Sequence, residues 1–90
     1  MREFEFEEKL KKTLSKLEKK DKVKYSIVIN KIDEILSCID VEHYKNLRAP
    51  KQEFKRVHIG SNFVLLFKYD KQKDFILFFC LNHHDEVYRL

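Results

Sequence analysis

The stretch FKRVHIGSNFVLLFKYDKQKDFILFFCLNHHDEVY, Phe54 to Tyr88, decides how this chain is read. Two polar breaks divide it. Gly60-Ser61-Asn62 holds the only glycine of the chain and reads as a turn with a positive-φ position. Asp70 to Asp74 is the second polar connection. Around these breaks lie three runs of strand character, Phe54–Ile59, Phe63–Tyr69 and Phe75–Leu81. Alternation along the first run puts Phe54, Arg56 and His58 on one face, and Lys55, Val57 and Ile59 on the other. The next two runs are apolar on both faces, and such strands are normally covered on both sides. A second polypeptide is therefore expected over part of one face, with strong curvature of the sheet around a single core as the alternative.

Upstream, Met1 to Phe6 alternates and predicts a short opening strand. Phe6, Leu10, Leu14 and Leu17 then form a helical stripe that predicts a helix to about Lys19. Asp21 suits the N-cap of a second helix, with an apolar stripe of Tyr25, Val28, Ile32, Ile35 and Ile39, widened by Ile29 and Leu36. Pro50 disfavours helical geometry at Ala49 and marks a boundary. The expected fold is α+β in one domain over residues 1–90: an N-terminal strand, a helical hairpin, then an antiparallel three-stranded run.

Composition narrows the class. Eight Phe and four Tyr against one Gly and one Pro in 90 residues argue against disorder. Cys38 and Cys80 have no metal-type spacing, and free thiols point to a reducing cytosol. No apolar run reaches the roughly 20 residues that a membrane span requires, and no signal segment is evident, so the expected location is cytoplasmic and away from membranes. The net charge is +4, and residues 1–46 nearly cancel at 11 basic and 10 acidic groups. The lysine-rich helix faces read most simply as solubilising surface. Lys45, Arg48, Lys51, Lys55 and Arg56 against Glu53, with His58 at the end, form a local basic excess suited to phosphate.

Several segments together are similar to the RelE/ParE superfamily of type II toxin–antitoxin toxins. They are Leu47-Arg48-Ala49-Pro50, Lys55-Arg56-Val57-His58-Ile59-Gly60, Phe63-Val64-Leu65-Leu66-Phe67, and the closing His84-Asp85-Glu86-Val87-Tyr88. The resemblance covers nearly the whole chain and implies the RelE-like microbial RNase fold. It implies a small basic toxin that, in the RelE/YafQ-like branch, cleaves messenger RNA on the ribosome without metal or cofactor. Such a toxin is held inactive by a RelB-like antitoxin. The ParE-like branch shares the fold but poisons gyrase and lacks the RNase residues.

Metal-free RNA cleavage requires deprotonation of the ribose 2′-OH, stabilisation of charge on the phosphate and protonation of the 5′-oxygen. By the resemblance, His84 is the expected general acid or base, and Tyr88 stacks on a base or assists proton transfer. Arg56 is assigned to phosphate contact, and His58 to proton transfer or phosphate contact. Arg48, Lys51, Lys55 and Arg89 are expected at the RNA or ribosome surface. The chain departs from the family at Val64, where many members carry a phosphate-binding arginine; Arg56 or Arg89 is the available substitute. His83 competes with His84, and sequence proximity does not choose between them. Metal binding by His83, His84 and Asp85 is disfavoured, because two adjacent histidines with no third ligand at helical spacing make a weak site. Cys80, between Phe79 and Leu81, reads as a buried and inert thiol.

Overall fold

A computed structural model describes residues 2–47 and 53–89, the last three as backbone only. Strand β1 (Glu3–Phe6) leads into helix α1 (Glu8–Lys20) and helix α2 (Lys22–Ser37). A 3-10 turn at Val41–His43 precedes strands β2 (Lys55–Ile59), β3 (Phe63–Asp70) and β4 (Phe75–His83). The chain closes on helix α3 (His84–Arg89). This is the expected α+β order, with one helical segment added at the end.

Asp21 ends α1 and caps α2, its carboxylate accepting from the Lys24 amide at 3.0 Å. Leu10 and Leu14 of α1 and Val28, Ile32, Ile35 and Leu36 of α2 form the apolar side of the hairpin. It packs on Ile59, Leu65, Phe67, Ile76, Phe78 and Leu81, one face of the sheet. The expected stripe overruns at Ile39. Helix α2 ends at Ser37, Cys38 turns to an extended conformation, and Ile39 is 97% exposed. The Arg2 guanidinium explains the stop. It donates to the Leu36 carbonyl at 3.1 Å, to the Cys38 carbonyl, and to the Ile39 carbonyl at 3.1 Å, taking acceptors that a further helical turn would have used.

The sheet runs in the order β1-β4-β3-β2, with β1 parallel to β4 and the other pairs antiparallel. Leu66 pairs with Cys80 but Phe67 pairs with Phe78, so Phe79 is an extra residue in β4. Before this bulge Ile76 and Phe78 face the helices; after it Leu81 does. Phe79 and Cys80 both join a second cluster on the opposite face, with Leu47, Phe54, Val64 and Leu66.

That second cluster fills part of the face over which another polypeptide is expected. The chain itself lays Leu47 and Phe54 over this part of the sheet, tied down by Leu47 N–H to the Phe54 carbonyl and Arg56 N–H to the Lys45 carbonyl, both at 2.9 Å. Towards β1 the same face keeps Phe75, Leu77 and Phe79 half-buried. No helix of the described residues is long and apolar enough to cross a membrane.

Candidate functional site

The strands bring the chemistry-bearing residues to one end of the sheet, where β2 and β4 finish and β3 begins. Three rows of paired residues cross it: Arg56, Leu66 and Cys80; His58, Val64 and Asn82; Ile59, Phe63 and His83. The first two rows lie on the face away from the helices. Arg56 and His58 are therefore on one face as their spacing predicts, with Arg56 half-buried and His58 exposed. Val64 lies between His58 and Asn82 and is 0% exposed, an apolar floor where the resemblance had led to an arginine.

The bulge settles which histidine joins them. In an unbroken β4, Phe78, Cys80, Asn82 and His84 would share a face with the helices, and His83 would share one with His58. The extra residue inverts this. His83 meets Phe63, ring centroids 5.7 Å apart and edge-on, and Lys24 of α2 places its ammonium 3.8 Å from the centre of the same Phe63 ring. His84 goes to the other side, its ring 5.5 Å from that of His58 with 32° between the planes. The backbone changes at this point from strand to α3, and the His84 amide donates to the Asn62 carbonyl at 2.6 Å, fastening the helix start to the β2–β3 turn. Gly60 in that turn takes φ 62°, the conformation expected of the only glycine.

Two carboxylates belong to the site. Asp85 lies 3.8 Å from His83 Nδ1 and 3.7 Å from His84 Nδ1. Its own amide donates to His83 Nδ1 at 3.2 Å, so the neutral His83 ring carries its proton on Nε2. Glu86 accepts from Asn82 Nδ2 at 3.0 Å. A carboxylate only accepts, so this bond fixes the amide with its nitrogen toward Glu86 and Oδ1 away from it. Asn82 Oδ1 is buried without a hydrogen-bond partner, the only such side-chain atom among the described residues. Sequence reading passed over Asn82 and Glu86; the Asn-x-x-x-Glu spacing is visible, but it acquires meaning only when a helix begins at His84.

Lys55 is not where a binding role requires it. It is 5% exposed on the helix side of β2, and its ammonium donates to the Tyr44 carbonyl and to Asn46 Oδ1, both at 3.0 Å. Those bonds dock residues 44–46 against β2 and withdraw the charge from the surface. Arg48 and Lys51 lie outside the described residues, as do the side chains of Tyr88 and Arg89, whose backbone belongs to α3. Among the described residues, no three His, Cys, Asp or Glu side chains are grouped as a metal ion would need. What the site assembles is an imidazole pair, an arginine on the same face, and carboxylates beside the imidazoles. These groups are suited to proton transfer and to contact with an anion.

Comparison with known proteins gives the family and the fold. The chain is 43% identical over 89 residues to a protein of Methanocaldococcus jannaschii provisionally named toxin RelE4, covering 99% of this chain and 93% of that one. The chain belongs to the RelE family of toxins. No family model matches it. Among solved structures, the isolated RelE toxin of E. coli superposes with a TM-score of 0.70 at 20% identity, covering 99% of this chain and 93% of that one. The RelBE2 toxin–antitoxin complex of Mycobacterium tuberculosis gives 0.73 at 17% identity, covering 92% and 98%. In this RelE-family chain the floor of the site is the fully buried, apolar Val64.

Proposed function

We propose that this RelE-family toxin is a cytoplasmic, ribosome-dependent messenger RNA endonuclease that acts without metal and is neutralised by a RelB-like antitoxin. The observation that carries the reading is the His58–His84 pair, two imidazoles 5.5 Å apart on the face that also holds Arg56. One imidazole takes the proton of the ribose 2′-OH as it attacks the adjacent phosphorus. The other gives a proton to the departing 5′-oxygen, leaving a 2′,3′-cyclic phosphate. Arg56 neutralises charge on the phosphate, and Tyr88 stacks on a base or assists the proton transfer. Arg48, Lys51 and Arg89 contact message or ribosomal backbone. Crystallised RelBE2 is a toxin–antitoxin complex, which supports an antitoxin partner here.

Cell-free translation with mapping of message ends tests this. Wild type is expected to arrest synthesis and cut the message, and His84→Ala is expected to cut at least about 100-fold more slowly while staying folded. Equal cutting by the variant refutes the proton-transfer role.

A second reading, a non-nuclease toxin of the same fold acting as a gyrase binder, draws on Val64, which puts no cation at the centre of the site. Translation that proceeds uncut in the presence of wild type, alongside inhibition of supercoiling, establishes that reading instead.

A further inference from the structure

The near cancellation of charge over residues 1–46 is not a cancellation in space. From Lys9 to Lys24 the chain carries eight lysines against Glu18 and Asp21. The densest part is the turn between the helices, with Lys19 and Lys20 ending α1 and Lys22 and Lys24 opening α2. The acidic Asp33, Glu34, Asp40 and Glu42 lie at the far end of α2 and beyond it. Among the described residues Lys16, Lys19, Lys20 and Lys22 enter no ion pair, and Asp21 spends its carboxylate on the α2 cap.

Helix electrostatics explains only half of this cluster. Lysines in the last turn of α1 complement the negative end of the helix dipole. Lys22 and Lys24 stand in the first turn of α2, which has no acidic residue, and there positive charge is unfavourable. A local cost kept in this way points to a use elsewhere.

The turn is also continuous with the candidate site. The Lys24 ammonium is 3.8 Å from the centre of the Phe63 ring, and the Phe63 ring meets His83. His84 follows on the opposite face beside His58. His83 and His84 thus straddle the end of the sheet, linking a basic surface on the helix side to the imidazole pair on the other. Cationic groups interleaved with an aromatic ring are the pattern that tracks a nucleic-acid backbone.

We propose that the Lys19–Lys24 turn is a phosphate-docking surface for RNA. The strand runs from these lysines over Phe63 and His83 to Arg56, His58 and His84. The proposal rests on the endoribonuclease reading for its far end, but it is tested by binding alone. The probe is a short, labelled, 2′-O-methylated single-stranded RNA, which a 2′-OH mechanism leaves uncut. Two double variants of equal charge are compared in the full chain: Lys20→Gln/Lys22→Gln at the turn, and Lys71→Gln/Lys73→Gln in the exposed β3–β4 connection at the other end of the sheet.

The turn variant is expected to weaken binding about tenfold and to lower the slope of log affinity against log salt by about 1–2, with the far-end variant within about twofold of wild type. Equal losses in the two variants, or wild-type affinity in the turn variant, overturn the proposal. Turn-dependent binding by a wild type that cuts no message sustains the surface and refutes the nuclease. Message cutting with turn-independent binding does the reverse.

Discussion

The two ends of the sheet are built on opposite principles. At the end where β3 turns into β4, polar groups are matched to one another. Arg2 Nε donates to Asp74 Oδ1 at 2.8 Å, Tyr69 donates to the same oxygen at 2.8 Å, and the remaining Arg2 nitrogens satisfy the end of α2. Asp74 holds φ 50° to keep its place in this cluster. At the other end, an imidazole pair and a fixed amide surround an apolar floor, and Asn82 Oδ1 has no partner. The first end closes the fold by joining the N-terminal segment, α2 and the β3–β4 connection. The second carries polar groups that are not matched in this way, and under the proposed function they serve binding and proton transfer.

The contrast breaks most severely at Val64. Val64→Arg supplies the charge that the resemblance led one to expect, but in a fully buried position, and is expected to cost about 4 kcal/mol of unfolding free energy. Urea denaturation measures it. A stable variant with faster message cutting shows that the floor tolerates a cation.

Next in size is Arg2→Ala, which leaves carbonyls at the end of α2 unmatched and is expected to lose about 2–3 kcal/mol, with cutting by the remaining folded protein unchanged. Loss of activity greater than loss of fold couples the two ends.

A smaller effect follows pH. The Tyr69 hydroxyl hydrogen bond, followed by the contribution of Arg2, holds the Asp74 carboxyl below its ordinary range against the opposing effect of burial. Its folded value is therefore lower than its unfolded one. The stabilisation is complete above the ordinary aspartate range and is lost as pH falls through the folded value. Acid titration of the melting temperature is expected to show a steeper decline in wild type than in Asp74→Asn.

The smallest effect sharpens the comparison at the site. Asn82→Leu removes an unpartnered oxygen together with one exposed bond to Glu86, so stability is expected to change by less than about 1 kcal/mol. Calorimetry checks this, and a large loss places Asn82 among the closing contacts instead.

Much of the fold was legible in the residues. Asp21 announced the helical hairpin, Gly60 the turn, and the period-two alternation of β2 put Arg56 beside His58. The shorter α2 was not legible, because the Arg2 guanidinium that ends it comes from 34 residues away in sequence. Lys55 misled because a lysine reads as surface, whereas its position opposite Arg56 already put it on the helix side. The choice between His83 and His84 was beyond local reading. In Phe75 to Leu81 every residue is apolar, so no pattern of polarity marks where the alternation slips.

The single slip in β4 acts as a change of parity. The chain assigns residues to faces by counting in twos, and Phe79 turns an even count into an odd one before the histidines are reached. One half-buried residue packed against an apolar cluster thereby delivers His84 to His58 and His83 to Phe63. Losing or gaining a residue upstream of His83 in β4 would exchange the duties of the two histidines while leaving both in the sequence. In this chain, the histidine that faces His58 is found by counting from the bulge.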